Sequence, residues 1–367
     1  MFEGVDGSHR EAGSGVRNMS KESIRIMVTS VGGGGVGMEA IKALRLSKKK
    51  YFILGTDMSD KSYGLFQADK GVVVPAANDD RFISEMLKIC SKERIRGVIP
   101  GSEAELTVLS KRRGEFEKLG IYLMINSKSV IDLCLDKKKT FNYLRQKKIS
   151  IPRTVAIERK SDISKVDFLP AIIKPYVGTG GSRNVFVAQD EEELDFFCRY
   201  LMKYGNKPLV QEYIGSSNDE YTVGILSDHE GGLISTIAIR RNIVAALSNR
   251  LKIPSLKSKG AVLVVSSGIS QGEVVDNKAV ISGCVRIAKA VNSKGPLNIQ
   301  CRFVRGKVYP FEINPRISGT THMRALAGVN EPDLLLRKYV LHERMPNKIT
   351  PKKGLVIRGL EEMFVES

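Results

Sequence analysis

The residues with the plainest chemical purpose stand late in the chain. Phe311-Glu312-Ile313-Asn314-Pro315-Arg316 reads as the end of a β-strand, and alternate side chains of a strand share a face. Glu312 and Asn314 therefore project together, and Leu297-Asn298-Ile299-Gln300 supplies a neighbouring strand from which Gln300 can meet them. One carboxylate and two amide oxygens are hard donors, a set that suits Mg²⁺, with Mn²⁺ as the alternative, completing its shell with phosphate and water. Arg316 follows on the same alternating face, where a guanidinium neutralises a transferring phosphoryl group.

Three earlier stretches point to a nucleotide. Ile172-Ile173-Lys174-Pro175 is followed by Gly178-Thr179-Gly180-Gly181-Ser182-Arg183. A lysine leaving a buried strand just before a glycine-rich loop can set its ammonium on a phosphate while backbone amides wrap the rest. Lysine precedes the glycines, so this is not a Walker loop. Val210-Gln211-Glu212-Tyr213-Ile214 offers a strand edge whose carbonyl and amide can read adenine, and Glu220, eight residues after Glu212, can accept from ribose hydroxyls. The third stretch, Gly32-Gly33-Gly34-Gly35-Val36-Gly37, satisfies G-x-G-x-x-G with Asp57 twenty residues beyond it. Taken alone that is a dinucleotide signature, and an NAD-type oxidoreductase is the competing reading.

The elements that must position these residues follow from periodicity. Residues 24–29, 51–55, 71–74, 97–100 and 121–124 read as strands, with helical patterns at 38–46, 81–92 and 104–118 between them. Such alternation predicts a parallel sheet covered by helices. A helix over 136–147 ends before Ile151-Pro152, where proline holds the preceding residue extended. Beyond it come strands at 171–174, 185–188 and 208–213 with a helix at 191–203. An antiparallel series at 221–226, 233–239, 263–265, 297–304 and 307–313 follows, interrupted by a helix at 277–292. The expected organisation is an α/β parallel-sheet domain over 24–125 and an α+β domain over 126–345 with a small mobile lid at 149–213. A disordered tail over 1–23 and a C-terminal segment over 346–367 complete it.

Lys137, Lys174, the loop Gly178 to Ser182, Glu212, Glu220, Gln300 and Glu312-x-Asn314-Pro315-Arg316 occur in the order and approximate spacing of the ATP-grasp superfamily. The chain most resembles one ATP-grasp half of the carbamoyl-phosphate synthase large subunit. Pro100-Gly101-Ser102-Glu103-Ala104-Glu105-Leu106 is similar to the sheet-to-helix loop of that family's pre-ATP-grasp domain, so the resemblance spans residues 24–341. It implies that Lys137 (or Lys138) and Lys174 hold ATP phosphates. Gly178, Gly180, Gly181 and Ser182 would close over them, Glu212 and the Ile214 amide would read adenine, and Glu220 would bind ribose. Gln300, Glu312 and Asn314 would coordinate the metal. Arg316 with Asn314, and Arg240 or its neighbour Arg241, would stabilise charge on an acyl phosphate. The implied reaction activates a carboxylate with release of ADP and joins it to an amine. A chain of 367 residues holds one half only, which favours a stand-alone carboxylate–amine ligase. The alternatives are carboxyphosphate and carbamate chemistry or an ATP-binding regulatory module without turnover. His322 and Arg324 could face a substrate, with a surface histidine as the equal alternative.

Composition bounds the rest. Lys and Arg number 58 against 40 Asp and Glu, a net charge of +18 spread over short separated runs, and tryptophan is absent. A solvated basic surface is expected rather than a nucleic-acid site. No apolar run approaches the roughly 20 residues of a membrane span. The five cysteines have no zinc spacing, which fits a reducing, cytoplasmic setting. The expected partners are a small-molecule carboxylate and amine, and a homodimer is compatible with the sequence.

Overall fold

The strand at β1 (Ile24–Thr29) buries Ile26, Met27 and Val28 completely, and a strand buried on both faces needs helices on both. The computed structural model of the protein describes residues 23–32, 35–177, 184–244, 249–266 and 270–365. The expected tail, apart from residue 23, lies outside the described residues, as do Gly33, Gly34, Gly178, Gly180, Gly181 and Ser182. With β2 (Tyr51–Asp57), β3 (Lys70–Val73), β4 (Gly97–Ile99) and β5 (Tyr122–Leu123), β1 forms a wholly parallel sheet in the order β3-β2-β1-β4-β5. Ile26 and Val28 pack against Val36, Ile41 and Leu44 of the helix Val36–Arg45 and against Leu334 to Leu336 of the helix Glu331–Tyr339. Met27 faces the other way, against Phe82, Met86, Leu106 and Phe116.

Strand order reverses between β1 and β4, the point at which the loops leaving a parallel sheet diverge. Here they touch: a Cβ on Gly37 would sit 2.4 Å from the Thr29 carbonyl oxygen, and one on Gly101 would sit 2.2 Å from it. The expected single helix at 104–118 is two, Glu103–Lys111 and Arg113–Lys118, because Arg112 leaves helical geometry. Ser102 and Glu105 form a capping box on the first of them. The buried Glu105 carboxyl also accepts from Thr29 Oγ1 at 2.6 Å, and burial raises its pKa.

A second sheet is antiparallel, in the order β6 (Thr154–Ala156), β9 (Pro208–Glu212), β7 (Ala171–Pro175) and β8 (Phe186–Ala188). The helix Glu191–Lys203 lays Leu194, Cys198 and Leu201 on Ala171, Ile173 and Val210. Its start is fixed by the Asp190 side chain, which accepts from Glu193 N, and by three glutamates in the first turn.

The third sheet runs β16 (Lys307–Asn314), β15 (Pro296–Val304), β10 (Glu220–Ser227), β11 (Leu233–Asn242), β14 (Gln271–Val275) and β17 (Gly354–Val356), all antiparallel. Tyr221, Val223, Ile225, Ile299, Cys301 and Ile313 join one core with Cys284 and Ile287 of the helix Lys278–Ala290 and with Phe141 and Leu144 of the helix Lys137–Gln146. Period-two alternation sends Glu220, Thr222, Asn298, Gln300, Glu312 and Asn314 to the opposite face.

Residues 263–265 depart from expectation. They belong to β13 (Val262–Ser266), which among the described residues pairs with β12 (Asn249–Pro254) in a separate hairpin. Leu263 and Val265 leave the large sheet to pack on Val187 and Tyr213. All five cysteines are free and buried. Among the described residues, no helix is long and apolar enough to cross a membrane.

Candidate active site

A cleft of about 830 Å³, counting its open mouth, lies between the second and third sheets. Lys174 is one of its buried cations. It projects from β7, is 6% exposed, and donates to Gln211 Oε1 on β9 at 3.0 Å and to the Phe311 carbonyl on β16 at 2.8 Å. One side chain therefore ties the two sheets together across the cleft. Burial, and next the neighbouring Lys137 ammonium, push Lys174 down to about 7, while Glu312 opposes the fall.

Lys137 begins its helix beneath the Asp136 cap and lines both the main cleft and a small adjoining cavity. Lys138 turns away to pair with Glu158, so of the two neighbours Lys137 is the one in the cleft.

The expected metal face assembles on the third sheet. Gln300 sits opposite Glu312, and Asn298 opposite Asn314. Gln300 Nε2 donates to Glu312 Oε2 at 2.5 Å, and Gln300 Oε1 accepts from Arg241 Nη1 at 3.0 Å. Asn314, 5% exposed, lines the small cavity together with Glu312 and Lys137. No cluster of three or more His, Cys, Asp or Glu that could hold a metal exists among the described residues. The donor set is one carboxylate with two amides, which fits Mg²⁺ only when phosphate and water supply the remaining oxygens.

Glu220 is buried at the far side of the same face. Its Oε1 accepts from Arg241 Nη1 at 2.7 Å, and Arg302 Nη2 lies 3.4 Å from Oε2. Arg302 also donates to the Ile214 carbonyl at 2.8 Å, and its guanidinium lies 4.0 Å from the centre of the Tyr213 ring. Glu212 reaches the rim, where its carboxylate takes two bonds from Arg153 at 3.1 and 3.3 Å. Apolar walls come from Ile172, Val185 and Ile214, and from Val264 and Val265 of the hairpin.

Three expectations need correction. Arg240 is not in the cleft: the pleat turns it to the exposed face, where it pairs with Glu273 at 2.7 Å, and its neighbour Arg241 lines the cleft. Arg316 does not continue the alternation of Glu312 and Asn314, because β16 ends at Asn314 and Arg316 N turns back to the Asn314 carbonyl. Its guanidinium reaches Glu103 Oε1 at 3.0 Å and the Ile317 carbonyl at 3.0 Å. Arg324 faces no substrate, since it is completely buried on Glu331, Thr222 and Asn298. In the early glycine loop, the Asp57 carboxylate turns back to accept from Gly32 N at 2.9 Å. Arg241 and Arg302 are the cleft residues that sequence reasoning missed or ranked second. Their signal was period two on β11 and β15, which aligns them with Gln300.

A parallel sheet followed by two antiparallel sheets clasping a cleft is the ATP-grasp architecture, and the comparisons agree. Residues 206–363 match the family described as ATP-grasp in the biosynthetic pathway with Ter operon. Residues 26–124 match the PylC-like, N-terminal domain. The chain is thus similar, in order, to a PylC-like N-terminal domain and to an ATP-grasp module. It is 25% identical over 295 residues to the carbamoyl phosphate synthase large chain of Thermoanaerobacter sp. (strain X514), covering 79% of this chain and 26% of that one. The chain therefore spans about a quarter of the length of the curated relatives it matches. Among solved structures, an L-amino acid ligase from Bacillus licheniformis aligns over 88% of this chain and 75% of its own, with TM-score 0.62 and 17% identity. The biotin carboxylase β,γ-ATP complex from Campylobacter jejuni aligns over 90% and 74%, with TM-score 0.63 and 15% identity.

Proposed function

We propose that this chain is an ATP-dependent ligase that activates a carboxylate as an acyl phosphate, releases ADP and joins the acyl group to an amine. The observation that carries the reading is the buried Lys174, bridging two sheets at a cleft that presents Gln300 and Glu312, with Asn314 in the small cavity adjoining it. Lys137 and Lys174 hold the phosphates, and the glycines 178, 180 and 181 with Ser182 close over them. The backbone at Glu212 and Ile214 reads the base, the apolar wall of Ile172 and Val264 sandwiches it, and Glu220 accepts from the ribose. Gln300, Glu312 and Asn314 hold Mg²⁺, which when bound neutralises phosphate charge. Arg241 takes the place expected for Arg240, because its guanidinium already touches both Glu220 and Gln300. Arg316 stands beyond Asn314 to meet the acyl phosphate. Structural neighbours solved with β,γ-ATP and with MgADP support the cofactor reading.

The test is incubation with ATP, Mg²⁺ and pooled carboxylates and amines, with mass spectrometry for ADP and new amides. Absence of substrate-dependent ADP overturns the ligase in favour of a binding module. Glu312→Gln should lower turnover by roughly 10² to 10⁴, with a far smaller loss of nucleotide affinity. Near wild-type turnover in that variant would remove Glu312 from the metal site.

A further inference from the structure

Glu103 follows the strand β4 of the first sheet, yet its carboxylate lines the small cavity that adjoins the cleft between the other two. It is the first residue of the helix Glu103–Lys111, whose cap is made by Ser102 and Glu105. Capping therefore leaves the Glu103 side chain unused. That side chain is 20% exposed and reaches across to Arg316, accepting from Nη2 at 3.0 Å. It lines the small cavity formed with Lys137, Glu312 and Asn314, and Lys137 and Glu312 also line the main cleft. Arg316 Nε is buried beside it with no hydrogen-bond partner.

Charge decides what such a carboxylate can serve. An incoming carboxylate or acyl phosphate is attracted by Arg316 and repelled by Glu103. An amine arrives as an ammonium, needs an anion to hold it, and cannot attack until it has lost a proton. Resting on the ligase reading, we propose that Glu103 receives the acceptor as a primary ammonium and acts as its general base, and that in the empty site it occupies Arg316 until the acyl phosphate forms.

The steps balance. The substrate carboxylate oxygen attacks the γ-phosphorus, an O–P bond forms, and the β,γ-bridging P–O bond breaks with its electron pair leaving on ADP. The acyl phosphate takes over the Arg316 guanidinium and frees Glu103. Glu103 accepts one proton from the ammonium, and the nitrogen lone pair attacks the acyl carbon. The C–N bond forms, the C–O bond to phosphate breaks, and the departing phosphate carries off the second nitrogen-bound proton. Glu103 returns its proton to solvent. A positioned general base contributes about 10²- to 10⁴-fold.

The experiment compares two nucleophiles on one acyl phosphate. The chain, Mg·ATP and pooled proteinogenic amino acids are incubated with and without hydroxylamine, which is largely unprotonated at neutral pH and attacks without a base. Amide and hydroxamate are both quantified. Glu103→Gln should lower amide formation at least about 10²-fold and hydroxamate formation by less than about tenfold. Glu103→Asp, which keeps the anion, should recover amide formation relative to Gln, and thermal unfolding should show both variants folded. Equal losses of the two products, or no loss of amide, would overturn the assignment while leaving the ligase intact. A wild-type chain that forms neither product overturns the ligase reading and Glu103's role together.

Discussion

An ammonium withdrawn from water onto two neutral oxygens has lost most of what keeps it charged, and Lys174 is in that position. Its pKa of about 7 belongs to the empty cleft. A phosphate oxygen beside it favours the charged form, so nucleotide binding should draw a proton from solvent wherever the empty site is neutral. The sign follows: above about 7 in the empty protein, uptake approaches one proton and affinity falls as pH rises. Below it, uptake vanishes. Calorimetry of Mg·ATP binding at pH 8 in two buffers of different ionisation enthalpy should show close to one proton taken up, and Lys174→Met should abolish it. Zero uptake in the wild-type chain would mean that Lys174 is charged in the empty cleft or untouched by phosphate. Lys174, Gln300 and Glu312 were legible in the sequence because each sits inside a run whose neighbours fix its face. The choice between Arg240 and Arg241 was not, since both fit the same strand and only pleat phase separates them.

At the level of elements, β10 shows how part of the polar face of the third sheet is buried. Arg324 and Glu331 form a completely buried pair beneath it, and Arg324 donates onward to Thr222 Oγ1 on β10 and to Asn298 Oδ1 on β15. The pair fits only because position 224 has no side chain: a Cβ there would lie 2.3 Å from Glu331 Oε1 and 2.5 Å from Arg324 Nη1. Neither group can yield cheaply, because a buried charge that loses its partner costs more than the pair contributes. Gly224→Ala should therefore destabilise the chain by about 1–3 kcal/mol, read as a lower urea midpoint, and should disturb the register that sets Asn298 against Asn314. An unchanged midpoint would show that the pair can shift without cost. The parallel sheet was readable because its central strands carry apolar runs, Ile26 to Val28 and Tyr51 to Leu54 among them, regularly spaced by helices. The hairpin of β12 and β13 was not, because an apolar run of a few residues reads alike whether it pairs within a sheet or leaves it.

That hairpin decides how the whole molecule holds its cleft. Its chain departs from β11 and returns to β14 in the third sheet, yet its contacts are with the second. Val264 N donates to the Tyr213 hydroxyl at 3.1 Å. Gln189 Nε2 donates to the Pro254 carbonyl at 3.0 Å, and Gln189 Oε1 accepts from Leu256 N at 2.8 Å. Lys257 reaches the Leu169 carbonyl, and Leu263 and Val265 share a small apolar cluster with Val187 and Tyr213. On the lid proposal, a clasp of this kind would carry the hairpin with the four-stranded sheet and make the wall of the cleft part of the moving unit. Ligand closure that excludes water from a reactive acyl phosphate would tighten sheet and hairpin together. Hydrogen exchange with a non-hydrolysable ATP analogue and Mg²⁺ should therefore slow in concert across β7, β8 and β13, with little change in β1, whose amides sit in the first sheet away from the cleft. Slowing of β7 and β8 without β13 would show that the hairpin is a passive neighbour. Slowing confined to the loop after β1 would place the nucleotide at the early glycines and overturn the cleft as its site.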